Sequence, residues 1–343
     1  MKKYLNNLYI TQPEVNIGRE GLTLVIYNDD KKVGQFPAHN FENIICFNYT
    51  GMSPAAMALC LEQKVCVSFL TRTGKILGQV TGHPSGNVLL RRAQYRIADD
   101  EALSLLFAKL FIEAKLFNSI RTLAKFIKDH NSNEAVNEVN QIRFGLIKSR
   151  KRIKECNDLE SLRGIEGDTS RNYFQVFNKL ILQQKLDFVF NDRRRRPPTD
   201  PVNAMLSLTY GMTRVLYENA LVTVGLDPYV GFLHRDRPGR KSLALDMMEE
   251  LRSYLADRFV LTLINRRQIT ISDFYFKKDG AVLFNDDGIK KYLDLWNKKL
   301  QETITHPFLN ERISIGLIPY VQSMLLARTL RGDLDTYPPT MIV

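Results

Sequence analysis

A histidine followed by an acidic stripe is the feature of this chain best suited to chemistry. His234 lies in a loop, and a helix is predicted to begin at about Ser242. At about 100° per residue, one narrow face of that helix carries Asp246, Glu249, Glu250, Ser253 and Asp257. Carboxylate oxygens and an imidazole are ligands for a divalent metal. An acidic helix face is equally typical of a solvated surface, so the stripe alone leaves both interpretations open.

A further carboxylate of interest is that of Glu166, which stands between Gly164 and Gly167. The glycines remove side chains on both sides of the glutamate and would let a ligand or a DNA backbone approach closely. Alternatively, Glu166 lies in a first helical turn, where the helix dipole favours a carboxylate, and has no further role. The local sequence does not decide between the two.

Positive charge is concentrated near these residues. The chain has 48 Lys+Arg against 37 Asp+Glu, a net charge of +11, which favours anionic partners such as nucleic acid. An arginine-rich loop can also be a solvent-exposed segment with no binding role. Three basic clusters in one region of the chain nevertheless favour a surface that binds phosphate groups. A membrane surface is a weaker alternative, because no predicted helix pairs a basic face with an exposed aromatic face. The residues predicted to contact DNA are Arg150, Arg152, Arg193, Arg194, Arg195, Arg196, Arg235, Arg237, Arg240 and Lys241.

The elements that must position these residues fall into two parts. Over residues 1–92, short apolar runs alternate with turn signals, which predicts strands in a small β-sandwich rather than βαβ units. Over residues 93–343, apolar residues recur with helical spacing. We therefore predict an α+β protein, with a small N-terminal β-sandwich domain followed by a larger, mostly α-helical domain. The helices are predicted at about 100–130, 134–155, 168–190, 200–224, 242–264, 286–304 and 312–331.

The sequence also argues against several classes of protein. No apolar run approaches the roughly 20 residues of a membrane span, and no signal peptide is evident. The four cysteines form no C-x-x-C pair, which predicts free thiols in a reducing compartment. We therefore expect a cytoplasmic protein without membrane contact.

Three segments resemble a known family. They are GIEGDTSRNYF at 164–174, RRRRPPTDPVNAMLSLTYGM at 193–212 and GFLHRDRPGRKSLALDMMEELR at 231–252. They look like the CRISPR-associated adaptation integrase, the metal-dependent DNA endonuclease that inserts spacers into CRISPR arrays. The resemblance extends over nearly the whole chain, to the closing Tyr337-Pro338-Pro339.

The resemblance implies a metal site. In that family a glutamate, a histidine and a later acidic residue bind one divalent metal, and by position these are Glu166, His234 and Glu249. Asp246 matches a further acidic position, either near the metal or behind its ligands. Ser170 stands where the family more often has alanine. Such a ligand set suits Mg²⁺ or Mn²⁺, although His234 has an alternative role as an acid–base group.

The resemblance also implies a reaction and partners. The 3′-hydroxyl of a short DNA duplex, the spacer precursor, would attack a phosphodiester at the edge of a CRISPR repeat. The N-terminal domain would form a homodimer, and two dimers would flank a small ferredoxin-like CRISPR-associated protein in a heterohexamer. Two other functions remain as alternatives: a nuclease for branched DNA repair intermediates and a catalytically silent DNA-binding scaffold. The scaffold is disfavoured because a silent site would be free to lose its ligands.

Overall fold

The computed structural model describes residues 7–12, 14–47, 50–71, 76–80, 88–194 and 197–342. The chain divides into two compact units. Unit 1 consists of Met1–Ser85, Phe284–Glu302 and Ser314–Leu317. Unit 2 consists of Gly86–Leu283, Thr303–Ile313 and Ile318–Val343.

Unit 1 is rich in strands. It contains β1 (Asn7–Ile10), β2 (Val15–Glu20), β3 (Thr23–Asn28), β4 (Lys31–Pro37), β5 (Asn43–Phe47), β6 (Gly51–Met52), helix α1 (Pro54–Glu62), β7 (Cys66–Leu70) and β8 (Ile76–Val80). The strands form two four-stranded sheets, in the orders β4-β3-β2-β6 and β1-β5-β7-β8. Ser53 caps α1 by accepting a hydrogen bond from Ala56 N, and Pro54 begins the helix.

One apolar core joins both sheets of unit 1. Val15 and Ile17 of β2, Ile44 of β5, Val67 of β7 and Leu59 of α1 belong to a single buried cluster. The two-sheet, strand-rich N-terminal region is thus confirmed. One detail of the prediction is wrong. β5 precedes α1 in the sequence, β7 follows it, and the two strands pair in parallel, so the three elements form a βαβ unit. All five residues of β5 are buried, as is typical of a parallel strand with both faces covered.

Unit 2 is mainly helical, as predicted. In chain order the remaining elements are α2 (Val88–Asp99), α3 (Glu101–Asp129), α4 (Val136–Glu155), α5 (Leu159–Gln175), α6 (Pro201–Val224), α7 (Ser242–Met248), α8 (Arg258–Asn265), β9 (Phe274–Phe276), β10 (Val282–Phe284), α9 (Asp286–Gln301), β11 (Thr303–Thr305), β12 (Arg312–Ser314) and α10 (Ile318–Leu330). Of these, α9 belongs to unit 1. No helix within the described ranges is long and apolar enough to cross a membrane.

Local signals explain where the long helices begin and end. Asp100 caps α3 through a hydrogen bond from Leu103 N, at 2.9 Å. Asp200 caps α6 in the same way, and Gly225 ends α6 at a φ of 88°, a conformation that favours glycine. The predicted helix at 168–190 is wrong in its bounds, because Asp158 caps α5 ten residues earlier and the helix ends at Gln175.

The predicted helix at 242–264 is interrupted. A short 3-10 turn, Glu249–Leu251, and a π-helical turn, Arg252–Asp257, separate α7 from α8. The segment is buried on both its apolar and its acidic faces, so the solvated-surface interpretation of the stripe is wrong. The buried acidic-stripe residues are Asp246, Glu249, Glu250, Ser253 and Asp257.

Candidate active site

Glu166 lies in the middle of α5, not in its first turn. Ser170, one turn further along, donates from Oγ to Glu166 Oε1 at 3.0 Å. A Cβ atom added at Gly164 or Gly167 would meet no atom within 4 Å, so the expected open space is present beside the glutamate. The interpretation of Glu166 as a first-turn dipole residue is therefore wrong.

Glu249 begins the 3-10 turn and is held by an arginine. The residue is only 6% exposed, and its carboxylate accepts two hydrogen bonds from Arg252 Nη1, at 2.8 and 3.1 Å. The guanidinium of Arg252 in turn lies over the ring of Tyr210, with Cζ 4.5 Å from the ring centroid. This stacking fixes the arginine, and the arginine fixes the carboxylate.

Lys115 of α3 joins the two glutamates. Its Nζ donates to Glu166 Oε1 and, at 2.7 Å, to Glu249 Oε2. The side chain is buried, with 6% of the residue exposed. The sequence analysis missed Lys115, although a signal exists: the lysine lies on the apolar face of α3, one turn after Phe111. A lysine at such a position requires an anionic partner.

His234 is positioned by Asp246. The Nδ1–H of His234 donates to Asp246 Oδ1, and three backbone N–H groups also donate to this carboxylate: Phe232 and Leu233 to Oδ2 at 2.7 and 2.9 Å, and His234 to Oδ1 at 3.1 Å. Asp246 is fully buried. Its oxygens are occupied, so Asp246 orients the imidazole and leaves Nε2 as the ring atom available to a ligand.

The loop that carries His234 requires glycine at position 231. A Cβ atom added at Gly231 would lie 2.7 Å from Asp246 Oδ2 and 2.8 Å from the backbone carbon of Ser242. Both neighbours are buried and held in place. The backbone can reach the Asp246 carboxylate only because residue 231 has no side chain.

Opposing effects set the ionisation of the two glutamates. Burial raises the pKa of Glu249, but the charges of Arg252 and Lys115 outweigh burial and lower the pKa to about 2. His234 contributes to the same lowering. Burial also raises the pKa of Glu166, and the charge of Lys115 brings it below its ordinary value. Both carboxylates are therefore anionic near neutral pH.

The donor types at this site fit one divalent cation. Two anionic carboxylates already converge on a single cation, the Lys115 ammonium. Oxygen donors with one imidazole suit Mg²⁺ or Mn²⁺. Across the part of the chain that the structure describes, no three His, Cys, Asp or Glu side chains stand together in an arrangement that could already hold a metal ion. At this site, Lys115 stands between the two carboxylates.

A cleft of about 450 Å³ opens beside Glu166. Its lining includes three arginines, Arg171, Arg193 and Arg252, and the ring of Phe174. Guanidinium groups bind phosphate oxygens, and an aromatic ring can stack on a base. The cleft therefore places phosphate-binding and stacking groups beside Glu166.

Several predicted DNA-contact residues are exposed. Arg235 and Arg237 are exposed in the loop before α7, whereas Arg240 is half-buried. Burial and the charge of Arg237 lower the pKa of Arg240, which reflects a local excess of positive charge. Arg152 and Arg194 are also exposed, and both have an aspartate within 4 Å.

Other predicted contact residues have partners inside the fold. Arg150 Nε donates to Glu113 at 2.7 Å, and Lys241 Nζ donates to the buried Glu218 at 2.8 Å. Arg193 donates to Asn203 Oδ1 at 2.6 Å and to Ser207 Oγ at 3.0 Å while it lines the cleft. Arg195 and Arg196 lie outside the described residues.

Comparison with known proteins finds relatives along the whole chain. The family model for the CRISPR associated protein Cas1 matches residues 8–298. The CRISPR-associated endonuclease Cas1 1 of Chlorobaculum tepidum is 42% identical over 339 residues, which cover 99% of each chain. The CRISPR-associated endonuclease Cas1 2 of Rhodospirillum rubrum is 41% identical over 343 residues, with the same coverage.

Solved structures share the fold. A casposase bound to its integration product has a TM-score of 0.84 at 23% identity, and the match covers 97% of this chain and 92% of the casposase. A chain of a Cas6-RT-Cas1–Cas2 complex has a TM-score of 0.83 at 24% identity, covering 99% of this chain but 36% of that longer one. At these identities the likeness establishes the fold.

Proposed function

The chain belongs to the Cas1 family of CRISPR-associated proteins, and from this membership we propose that it is a divalent-metal-dependent DNA endonuclease and integrase. In this proposal it inserts short DNA duplexes into a CRISPR array. The names of the relatives, CRISPR-associated endonucleases, support a nuclease. A casposase with the same fold, bound to an integration product, supports strand joining as the reaction.

One observation carries the proposal: the carboxylates of Glu166 and Glu249 converge on a single cation. His234, which the buried Asp246 orients, is the third proposed ligand. Glu166, Glu249 and His234 would hold Mg²⁺ or Mn²⁺. When bound, the metal would polarise the phosphoryl group and offset the charge that develops during transfer.

The residues around that centre have separate tasks. Asp246 keeps the His234 ring in one orientation, and Arg252 keeps the Glu249 carboxylate in place. Arg171 and Arg193 would bind backbone phosphates along the cleft, so that a DNA end lies next to Glu166.

The reaction is a transesterification. The 3′-oxygen of the incoming duplex forms a bond to a phosphorus atom at the repeat edge, and the bond from that phosphorus to its original 3′-oxygen breaks. The attacking hydroxyl loses its proton and the departing 3′-oxygen gains one. Attack by water in place of the 3′-hydroxyl gives cleavage, the endonuclease activity.

The proposal extends to partners. We expect a homodimer that binds double-stranded DNA and assembles with a small ferredoxin-like CRISPR-associated protein into a heterohexamer. A chain with the same fold occurs in a complex that contains Cas2, which supports a partner of this kind. The net charge of +11 supports binding to DNA.

The test is strand transfer of a labelled short duplex into a supercoiled plasmid that carries a repeat, with Mg²⁺ or Mn²⁺. We expect metal-dependent joining that falls at least 100-fold in Glu166→Gln and in Glu249→Gln, because each substitution removes a proposed charged ligand. Glu160→Gln is the matched control, since Glu160 is an exposed glutamate on α5. DNA binding should be retained in all three variants. Joining that survives in Glu249→Gln would contradict its assignment as a ligand, and DNA binding without joining in the wild type would favour the scaffold.

A further inference from the structure

We propose that Lys115 is the resident cation of the active site: its ammonium holds Glu166 and Glu249 together when no divalent metal is bound, and it leaves them when the metal binds. This inference rests on the proposed function, because it assumes that the two glutamates are metal ligands. It adds that metal affinity is limited by competition with a side chain of the protein itself.

The burial of Lys115 requires both glutamates. An ammonium group withdrawn from water is unstable unless anionic partners surround it. Lys115 is 6% exposed, and its Nζ contacts one oxygen of each glutamate. In the metal-free protein, the ammonium in turn offsets the repulsion between two neighbouring carboxylates.

The charges of the two glutamates and of the two cations that contact them are balanced before any metal arrives. Glu166 and Glu249 contribute two negative charges, and Lys115 and Arg252 contribute two positive ones. A divalent ion added to this group would give a buried excess of positive charge, and it would need carboxylate oxygens that the two cations already contact. Withdrawal of one of the two cations would remove this excess and make room at the carboxylate oxygens.

Lys115 is the cation that can withdraw. Arg252 is stacked on Tyr210 and contacts both oxygens of Glu249. Lysine carries its charge on a flexible four-carbon stem, whereas the planar arginine fork is held by each of its contacts. Movement of the lysine also removes a cation from one oxygen of each glutamate at once.

A small cavity next to Lys115 gives the ammonium a destination. The cavity has a volume of about 20 Å³ and is lined by Lys115, Ser253 and Asp257, among others. This is space for about one water molecule, which is also the approximate size of an ammonium group. Ser253 Oγ is buried and has no hydrogen-bond partner among the described residues, and Asp257 supplies a buried carboxyl group. Both can accept hydrogen bonds from the displaced ammonium.

The experiment measures the Kd of Mn²⁺ by calorimetry, together with the melting temperature of the metal-free protein. We expect Lys115→Met to bind Mn²⁺ at least tenfold more tightly than the wild type, and to melt at a lower temperature without metal. Ser253→Val fills the destination cavity while Lys115 remains, so it should weaken Mn²⁺ binding at least threefold. Lys125→Met is the matched control, because Lys125 is an exposed lysine on α3, and it should leave the Kd unchanged.

The results separate the inference from the proposed function. A lysine with only a structural role would give a lower melting temperature in Lys115→Met without tighter metal binding, and that result would overturn the inference. Unchanged affinity in Ser253→Val would overturn the proposed destination. If neither the wild type nor any variant binds Mn²⁺, the metal site and the proposed function both fail.

Discussion

The residues of the active site divide into those that would contact a metal and those that hold them in place. Glu166, Glu249 and His234 are the proposed ligands. Asp246 belongs to the second group, because its two oxygens accept three backbone N–H groups and the His234 ring. A carboxylate behind a histidine ligand fixes the orientation of the ring and raises its basicity.

Asp246→Asn should weaken Mn²⁺ binding by roughly 10–100-fold, the usual effect of losing such a partner. An amide has one acceptor oxygen and a donor NH₂ group, so it places a donor against groups that themselves donate. Calorimetry and the strand-transfer assay measure the change. Asp236→Asn, an exposed aspartate in the same loop, should leave both unchanged. Wild-type affinity in Asp246→Asn would contradict the positioning role.

At this scale the three metal ligands stay a prediction, whereas part of their surroundings was missed. Glu166, His234 and Glu249 were proposed from a family resemblance, and the structure brings the two glutamates to one cation. Lys115 was missed because it lies 51 residues before Glu166, and only the packing of α3 against α5 joins them. The inward orientation of Asp246 likewise depends on its hydrogen bonds to the loop at 231–234. Helical periodicity carries no information about the conformation of that loop.

Among the elements, the segment from α7 to α8 has a geometry that periodicity could not predict. A regular pattern of apolar residues indicates one helix, but the 3-10 and π turns change which side chains share a face. One local and one tertiary contact accompany the break: Arg252 donates to Glu249, three residues earlier, and Asp257 accepts a hydrogen bond from Tyr210 of α6 at 2.5 Å. Tyr210 lies 47 residues before Asp257, so local periodicity could not reveal this contact.

The C-terminal tail packs behind this segment. Tyr337 Oη donates to Glu250 Oε1 at 2.6 Å, and Thr340 N donates to Glu250 Oε2 at 2.9 Å. Gln322 of α10 donates to Tyr337 Oη at 2.6 Å and to Glu250 Oε2 at 3.0 Å. The tail thus holds Glu250, the neighbour of Glu249. These contacts should stabilise the active site from its buried side.

Tyr337→Phe should lower the free energy of unfolding by about 1–3 kcal/mol, because it leaves a buried carboxyl group without one of its donors. Urea unfolding of the metal-free protein measures the loss. Tyr229→Phe is the control, because Tyr229 is 45% exposed. This substitution should change the free energy of unfolding by no more than about 0.5 kcal/mol. Equal effects of the two substitutions would contradict the structural role of the tail.

For the whole molecule, composition and periodicity predicted the strand-rich and helical parts but not the division of the chain between them. The predicted boundary at residue 92 lies inside α2, which begins at Val88. Two later segments, including α9, belong to unit 1. α9 buries Tyr292 and Trp296 completely, yet its amphipathic pattern does not reveal which apolar surface it covers.

Some basic residues of the chain are exposed, whereas others are paired inside the fold. The exposed ones should contribute most to DNA binding. Replacing Arg235 and Arg237 together by alanine should weaken DNA binding and reduce the slope of log K against log[salt] by up to about 2, since each lost phosphate contact removes roughly 0.9. Fluorescence anisotropy at several salt concentrations measures the slope. Lys290 and Lys298 are exposed lysines of α9, and their double alanine variant serves as the control. An unchanged slope in the arginine variant would show that this loop does not contact DNA.

The central claim is that Glu166, Glu249 and His234 hold one divalent metal in place of the Lys115 ammonium. The most direct measurement is anomalous diffraction from crystals of the protein grown with Mn²⁺. The account predicts one manganese peak within bonding distance of a carboxylate oxygen of each glutamate and of His234 Nε2, with Lys115 Nζ withdrawn from both glutamates. A manganese peak bound elsewhere, or Lys115 still bridging the glutamates with no peak beside them, would contradict it.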